Sequence, residues 1–146
     1  SVAELSCNLD DMTAEAVGFA MEALLEAGAL DVFTTAIGMK KSRPGWMLTC
    51  LCRREQAETM ARLMLRHTTT LGVRRRDCVR YTLERQIRQV QTSLGPVRVK
   101  EAREGGVLRR KPEYEDVARA AREHGLGFLE ARQAIDRCLE EPGMPE

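Results

Sequence analysis

Three threonines, a glycine and three arginines fall within nine consecutive residues, and these residue types together suit a polyphosphate. Hydroxyls and backbone N–H groups can approach phosphate oxygens closely, and planar guanidinium groups can hold two oxygens at once. The segment is Thr68-Thr69-Thr70-Leu71-Gly72-Val73-Arg74-Arg75-Arg76. The same residues would also suit a turn followed by a strand with a solvated basic face, so the segment alone leaves both interpretations open.

A second basic segment could complete a phosphate site. Met39-Lys40-Lys41-Ser42-Arg43-Pro44-Gly45 places three cations at a predicted hairpin turn. Lys40, Lys41 and Arg43 would form a cationic wall if the turn lies beside the three arginines. Otherwise they form a charged tip of the kind that protects a sheet edge from pairing.

Carboxylates that could hold a metal follow the first predicted strand. Asp10 and Asp11 are either helix-capping acids or ligands of a Mg²⁺ or Mn²⁺ ion that also binds phosphate, because such ions often take only one or two carboxylates. Lys111 could add a further phosphate contact, although the start of a helix is the simpler explanation. His67 and His124 are the only histidines, and two isolated histidines do not predict a nickel site.

Charge is distributed unevenly along the 146 residues. Residues 1–38 contain seven acids and no lysine or arginine, whereas residues 39–110 contain eighteen bases and six acids. Such a basic middle predicts an anionic ligand. With 43% apolar and 31% charged residues, the chain is neither disordered nor membrane-spanning. The opening Ser1-Val2-Ala3-Glu4-Leu5 suggests entry into a strand, so we expect a piece of a larger protein.

The cysteines favour a reduced compartment. Five thiols without a C-x-x-C pair suit buried cysteines of a cytoplasmic protein better than disulfides or zinc. They are Cys7, Cys50, Cys52, Cys78 and Cys138.

Hydrophobic periodicity predicts an α+β fold. Over residues 1–83 the order β-α-β-β-α-β is that of a ferredoxin-like split βαβ unit. A β-hairpin over 86–100 is added to it, and two C-terminal helices follow, over about 111–125 and 128–139. We therefore predict a ferredoxin-like domain at 1–104, which includes the hairpin, and a C-terminal helical appendage at 105–146 with a loose tail at 142–146; the resemblance described below implies that the first is the nucleotide-binding domain.

Five segments, in this order and spacing, resemble the nickel-insertion protein family of lactate racemase maturation in its C-terminal half. They are Asn8-Leu9-Asp10-Asp11-Met12-Thr13, Met39-Lys40-Lys41-Ser42-Arg43-Pro44-Gly45, Thr68-Thr69-Thr70-Leu71-Gly72-Val73-Arg74-Arg75-Arg76, Gly95-Pro96-Val97-Arg98-Val99-Lys100 and Lys111-Pro112-Glu113-Tyr114-Glu115-Asp116.

The resemblance implies a function for the full-length protein. The family inserts nickel, its substrate, into pyridinium-3,5-bisthiocarboxylic acid mononucleotide, forming two sulfur–nickel bonds and one carbon–nickel bond. It is a CTP-dependent cyclometallase that also needs Mg²⁺ or Mn²⁺. By resemblance this half is the CTP-binding part of a cytoplasmic homo-oligomer, a trimer or hexamer, with no membrane or nucleic acid as partner.

The family resemblance and the chemistry of the residue types point to the same site residues. We expect one set of residues to approach or clamp the phosphates of CTP, and one or both of two carboxylates to hold the metal. The phosphate set is Thr68, Thr69, Thr70, Gly72, Arg74, Arg76, Lys40, Lys41, Arg43 and Lys111; the metal set is Asp10 and Asp11. The sequence identifies no catalytic residue.

Two other classes of function remain open. A ferredoxin-like nucleic-acid-binding module would explain the basic middle, although its few aromatics are scattered, and stacking aromatics are what sheet recognition of RNA needs. A non-catalytic regulatory domain that oligomerises through its sheet is the other alternative.

Overall fold

A four-stranded antiparallel sheet forms the first of two compact units, Ser1–Tyr81. The computed structural model describes residues 1–140, so the predicted tail at 142–146 lies outside the described residues. The strands have the order β2-β3-β1-β4, which is the ferredoxin-like split βαβ topology that the sequence predicted. The elements are β1 (Val2–Leu9), α1 (Ala14–Glu26), β2 (Asp31–Met39), β3 (Arg43–Arg53), α2 (Ala57–His67) and β4 (Arg74–Cys78).

Alternation along β1 and β3 places one face of the sheet under the helices. Side chains two residues apart share a face of a strand, and the buried members pack with Val17, Leu24, Met60 and Met64 of α1 and α2. These core positions on the sheet are Ala3, Leu5, Cys7, Leu9, Leu48, Cys50 and Cys52.

Helices α1 and α2 lie close to the ones that hydrophobic spacing predicts, which run from an N-cap at Thr13 to about Ala27 and from about Arg54 to Arg66. The hydroxyl of Thr13 accepts a hydrogen bond from the backbone N–H of Ala16 at 3.2 Å, which confirms Thr13 as the N-cap of α1. Helical spacing predicts that Leu25 shares the buried face of α1 with Val17, Met21 and Leu24. That prediction was wrong for Leu25, since its side chain is 48% exposed. Leu24 occupies the buried stripe, and its neighbour is turned away by about 100° on a helix of 3.6 residues per turn.

The last strand of this unit is shorter than predicted. Alternation suggested a strand from Gly72 to Leu83, but β4 ends at Cys78. Cys78 pairs with Val2, the first residue of β1, so the partner strand ends there. Because β4 is an edge strand with β1 as its only neighbour, the chain beyond Cys78 has nothing to pair with.

The second unit starts at Thr82 and has its own sheet and core. Its elements are β5 (Glu84–Thr92), β6 (Gly95–Glu104), β7 (Val107–Pro112), α3 (Tyr114–His124) and α4 (Phe128–Glu140), and the sheet order is β5-β6-β7. Val97 and Val99 of β6 pack with Val117 of α3 and Ile135 of α4. The hairpin therefore supplies the core of this unit, and the boundary lies at residues 81 and 82 rather than at the predicted 104 and 105.

A third strand replaces the predicted start of helix α3. Lys111 and Pro112 lie in β7, and the helix begins at Tyr114 after the N-cap residue Glu113. Gly105 and Gly106, which follow the predicted domain boundary, have positive φ angles of 55° and 82° and form the tight turn between β6 and β7. Helical spacing predicts that Tyr114 lies on the apolar side of α3 with Val117, Ala118 and Ala121. Tyr114 is instead 62% exposed and packs against Phe128 with ring centroids 5.4 Å apart.

Three of the five cysteines are fully buried, and all five are free thiols. Burial, with Cys52 adding to it, raises the pKa of the Cys50 thiol to about 12. Burial likewise raises the pKa values of Cys7 and Cys52, so these thiols stay protonated at neutral pH. No helix among residues 1–140 is long and apolar enough to cross a membrane.

Candidate functional site

One end of the first sheet collects the polar segments that the sequence analysis identified. Because the strands are antiparallel, the end of β1 lies beside the start of β3 and the start of β4. Leu9 pairs with Trp46 of β3, and Ser6 pairs with Arg74 of β4. The junction after β1, the hairpin tip before β3 and the threonine run before β4 therefore meet at this end.

A direct contact joins the β1 junction to the threonine run. The hydroxyl of Thr69 donates a short hydrogen bond to a carboxylate oxygen of Asp11, fifty-eight residues away in sequence. The backbone N–H of Thr69 also lies 3.4 Å from the sulfur of Met12. Both Asp11 and Thr69 are exposed, so this pair remains accessible to a ligand.

The other two threonines are engaged locally. Thr68 donates its hydroxyl hydrogen bond to the carbonyl of Met64 at 2.7 Å, which satisfies a carbonyl at the end of α2. Thr70 donates to the carbonyl of Gly72 at 2.8 Å. Their hydroxyls therefore shape the turn, and Thr69 is the threonine of this run that points its hydroxyl at the carboxylates.

Neither the backbone angles nor the packing of the first unit requires a glycine at position 72. Gly72 has no positive φ angle, and a Cβ atom added there would meet no other atom within 4 Å. The residue is exposed, so a ligand can approach from the solvent side, and its N–H and carbonyl both form hydrogen bonds with the Thr70 hydroxyl.

The three consecutive arginines divide between the two faces of β4. Arg74 donates from its guanidinium to the side-chain oxygen of Asn8 at 2.8 Å, and Arg76 pairs across β1 with Glu4 on the same face. Arg75 lies on the other face, where its Nε donates to Asp77 at 2.7 Å. Hydrogen bonding to Asp77 raises the pKa of Arg75. Arg75 is thus paired, and Arg74 and Arg76 share a face as predicted from the alternation.

The hairpin tip reaches the β1 junction through one of its three cations. The guanidinium of Arg43 lies 3.5 Å from a carboxylate oxygen of Asp10, whose side chain is 19% exposed. Lys40 and Lys41 are exposed, and within residues 1–140 neither forms an ion pair. Lys41 and Ser42 have φ angles of 61° and 58°, so two non-glycine residues in the left-handed region make the tip tight.

Lys111 lies in the second unit, on β7. It pairs with Lys100 of β6 across the ladder. It is exposed and is described with that unit.

The residues present fit a divalent cation that takes only part of its coordination shell from the protein. Among residues 1–140, no three His, Cys, Asp or Glu side chains form a metal cluster. Asp10, Asp11 and the hydroxyl of Thr69 are hard oxygen donors, and Mg²⁺ typically takes one or two protein carboxylates and completes its shell with phosphate oxygens and water. The set therefore suits Mg²⁺ or Mn²⁺ together with a phosphate ligand.

The nearby thiol and the two histidines have contacts of their own. Cys7 lies beneath the site, where burial raises its pKa against the opposing effect of the Thr70 and Thr68 hydroxyls and of Arg74. The ring of His67 packs against Phe19 with centroids 5.7 Å apart. His124 lies in the second unit, hydrogen-bonded through Nδ1 to the carbonyl of Ala120 at 3.0 Å.

The prediction from sequence did not assign roles to Asn8, Met12 or the cleft beside Asp10. Asn8 was detectable, because alternation along β1 puts it on the same face as Ser6, the partner of Arg74. Met12 gave no signal, since its contact with Thr69 depends on the path of the junction after β1. An apolar cleft of about 360 Å³ borders Asp10 and is lined also by Leu9, Met12, Ala36, Ile37, Pro44, Gly45 and Trp46.

Comparison with known proteins gives consistent results. The nickel insertion protein family matches residues 1–132. A protein of Geobacillus kaustophilus named pyridinium-3,5-bisthiocarboxylic acid mononucleotide nickel insertion protein is 50% identical over 127 residues, which are 86% of this chain and 31% of that protein. A protein of the same name from Acetivibrio thermocellus is 42% identical over 135 residues, 92% of this chain and 33% of that protein.

Solved structures agree with this. One is LarC2, the C-terminal domain of a cyclometallase involved in the synthesis of the NPN cofactor of lactate racemase, in its apo form. It matches with a TM-score of 0.91 and 38% identity, over 96% of this chain and 97% of that one. A protein of Methanopyrus kandleri matches with a TM-score of 0.67 and 28% identity, over 90% of this chain and 82% of that one.

The chain belongs to the nickel insertion protein family, as the resemblance of its five segments predicted. It spans about a third of the length of the curated relatives that it matches. It corresponds over nearly its whole length to the C-terminal domain structure.

Proposed function

We propose that this member of the nickel insertion protein family binds CTP together with Mg²⁺ or Mn²⁺ at the end of the first sheet. We further propose that it does so as the nucleotide-binding domain of a protein that inserts nickel into pyridinium-3,5-bisthiocarboxylic acid mononucleotide. The names of the relatives support the reaction. The resemblance of the sequence to a CTP-dependent cyclometallase suggests the nucleotide.

The observation that carries the proposal is the convergence of three segments that are distant in sequence. Asp11 meets Thr69 and Asp10 meets Arg43. Arg74 meets Asn8 on the open face of β4. Two carboxylates, a hydroxyl and two guanidinium groups thus surround one end of the sheet. Charged groups of both signs are what a metal–triphosphate complex requires of its binding site.

Each group has a role that its contacts permit. Arg74 and Arg76 on the open face would hold phosphate oxygens, and the exposed Gly72 would let the phosphates approach closely. Asp11 and Asp10 would hold the cation with help from Thr69. Arg43 would extend the positive surface, and the exposed Lys40 and Lys41 would add to it.

Positioning and charge neutralisation are the chemistry that this arrangement can supply. A bound Mg²⁺ or Mn²⁺ would neutralise charge on the phosphates. The protein groups, held by the sheet, would fix the nucleotide near the reacting substrate, and such preorganisation contributes to catalysis without a protein nucleophile. Nickel is the substrate of this reaction, and the site described here needs no nickel ligand of its own.

Thermal stability tests the proposal. CTP with Mn²⁺ should raise the melting temperature of the chain, because a ligand at one hundred times its Kd adds about 2.7 kcal/mol to the free energy of unfolding. ATP and GTP at the same concentration should raise it less. The measurement is differential scanning fluorimetry, repeated by isothermal titration calorimetry to obtain the Kd.

Substitutions at two different arginines provide a test variant and its matched control. Arg74→Ala should weaken CTP binding by about tenfold to one-hundredfold, since a charge-assisted hydrogen bond contributes ~1.5–3 kcal/mol. Arg62→Ala is the control, because Arg62 is an exposed arginine of α2 that pairs with Glu58, and it should leave the Kd unchanged.

Three results would contradict the proposal. An unchanged melting temperature at millimolar CTP with Mn²⁺ would rule out the nucleotide site. An equal response to ATP and GTP would remove the selectivity for cytosine. Salt-dependent binding to any polyanion without preference for CTP would favour the nucleic-acid alternative.

A further inference from the structure

The cleft beside Asp10 contains the only tryptophan of the chain. Trp46 pairs with Leu9 of β1 and with Ala36 of β2, at the same sheet end as the candidate site. Its side chain is 39% exposed, whereas the central side chains of this core are 0–1% exposed. A large indole that borders an open cleft has surface left to contact a ligand.

The cleft is shaped by the fold and not by a loose loop. A Cβ atom added at Gly45 would lie 2.6 Å from the carbonyl oxygen of Leu9 and 2.6 Å from the sulfur of Met39. Glycine is therefore required for β3 to pass this close to the end of β1. This close passage builds the wall from which Trp46 projects. The volume of about 360 Å³ lies within the range of roughly 300–1,000 Å³ typical of small-molecule sites.

The cleft and the proposed metal–phosphate site share a carboxylate. Asp10 lines the cleft and also pairs with Arg43. The next residue, Asp11, bonds to Thr69. A ligand in the cleft would thus lie immediately beside a nucleotide bound at the threonine run.

We propose that this cleft binds the pyridinium ring of the mononucleotide substrate, an inference that rests on the function proposed above. The ring carries a positive charge on nitrogen and negative thiocarboxylate groups on its carbons. Trp46 can contact the cationic ring through its π face, and Asp10 supplies a negative charge beside it. Arg43, next to Asp10, is placed for one of the anionic substituents.

The rest of the cleft agrees with a flat heterocycle. Met12 and Ile37 contribute apolar surface, and a methionine sulfur makes favourable contacts with the edge of an aromatic ring. The neutral cytosine ring of CTP would gain less from Asp10 and from the indole, because neither contact would involve a ligand cation. Charge on the ring is therefore the property that distinguishes the two heterocycles.

Fluorescence of the single tryptophan reports on the occupant directly. N-methylpyridinium-3,5-dicarboxylate should quench Trp46 emission along a saturable curve that reaches a plateau. Pyridine-3,5-dicarboxylate has the same anionic groups without the ring charge, and cytidine carries the competing ring. Both should bind more weakly, by about twofold to thirtyfold, given ~0.5–2 kcal/mol for a cation–π contact.

Variants measured by calorimetry separate the ring site from the nucleotide site. Trp46→Leu should weaken the pyridinium probe by about tenfold on the same scale, and Trp46→Phe should restore most of the affinity. Phe33→Leu is the matched control, since Phe33 is an aromatic of β2 with 43% exposure that does not line the cleft. CTP with Mn²⁺ should bind Trp46→Leu as it binds the natural chain.

The outcomes are distinct. Linear, non-saturating quenching by the pyridinium probe would overturn the ring site even if CTP binds. The ring site would also be overturned if cytidine binds the cleft as tightly as the pyridinium probe and Trp46→Leu loses its affinity for CTP. Those two results would assign the cleft to the base of CTP. If the pyridinium probe binds saturably but CTP with Mn²⁺ does not bind, the ring site is supported and the nucleotide site is rejected.

Discussion

The two compact units use their carboxylates differently. In the second unit Asp116 and Glu101 have side-chain exposures of 3% and 5%, and each is in contact with more than one arginine. In the first unit Asp10 and Asp11 lie at the rim of the sheet, and each contacts a single side chain from another segment. The same residue types therefore hold the second unit together and leave the first unit able to bind a ligand.

Asp116 shows what the structural role requires. It accepts the backbone N–H of Arg98 at 2.7 Å and two guanidinium hydrogen bonds from the same residue at 3.0 and 2.9 Å. It thereby links the N-terminal end of α3 to β6, at the point where β7 has ended. Glu101 is similar, with Arg110 at 3.2 Å and the amide of Gln86 at 3.3 Å. A carboxylate that is so fully used by its own fold has no capacity left for a ligand.

The largest expected effect is on the stability of the second unit. Asp116→Ala should lower the free energy of unfolding by about 3 kcal/mol, because it removes a buried carboxylate and leaves the backbone N–H and the guanidinium of Arg98 without their acceptor. Urea denaturation followed by circular dichroism measures it. Asp116→Asn, which keeps the shape, should cost less, and an Asp116→Ala protein as stable as the natural one would break the comparison.

Low pH should weaken the contact between Asp116 and Arg98. Hydrogen bonds and charge from Arg98 lower the pKa of Asp116 from 3.8 to about 2. Against the opposing effect of burial, hydrogen bonds from Gln86 and Arg110 also lower the pKa of Glu101. A lowered pKa in the folded state means that the stabilisation is complete above the unfolded value near 4 and is lost as the pH falls toward 2. Urea midpoints measured between pH 5 and pH 2 should therefore fall, and they should fall less in Asp116→Asn. Equal slopes would assign acid sensitivity to other groups.

A carboxylate of the first unit should behave in the opposite way. Asp11→Asn should leave the free energy of unfolding, measured by urea denaturation, within about 0.5 kcal/mol of the natural chain, as is usual for an exposed residue. It should raise the Mn²⁺ concentration that half-saturates CTP binding by about tenfold, because an amide replaces a charged ligand. A Mn²⁺ titration at fixed CTP measures this. A large loss of stability with unchanged Mn²⁺ dependence would make Asp11 a structural residue like Asp116.

The smallest expected effect is at Thr13, in the junction after β1, where a helix cap can be distinguished from a ligand contact. Thr13→Ala should lower the free energy of unfolding by about 1 kcal/mol, since Thr13 is the N-cap of α1. The Kd for CTP, measured by calorimetry, should change less than twofold. A tenfold weaker Kd would show that the start of α1 also contributes to ligand binding.

Local patterns predicted most of the first unit. The apolar spacing of Met60 and Met64 and the cap at Thr13 identified the helices, and the element order then left the ferredoxin-like sheet as the natural arrangement. β7 was not predictable in this way. Its basic residues show no alternation of apolar and polar side chains, and pairing with β6 is what makes this segment a strand.

The candidate site was predictable in its residue types but not in its pairings. The sequence analysis identified Asp10, Asp11, Arg43 and Thr69. Which carboxylate meets which partner depends on how the junction after β1 and the hairpin tip cross the end of the sheet. Neither segment has a repeating period, so only coordinates show that Arg43 meets Asp10 and Thr69 meets Asp11.

The buried cysteines of the first sheet have a consequence for metal traffic. Nickel ions bind thiolates readily, so a reactive cysteine near a nickel-handling surface would compete with the sulfur atoms of the substrate for the metal. Cys7, Cys50 and Cys52 lie beneath the helices with raised pKa values. The fold thus keeps these three sulfur atoms out of reach, so in the function proposed above they would not compete with the thiocarboxylates of the substrate for nickel.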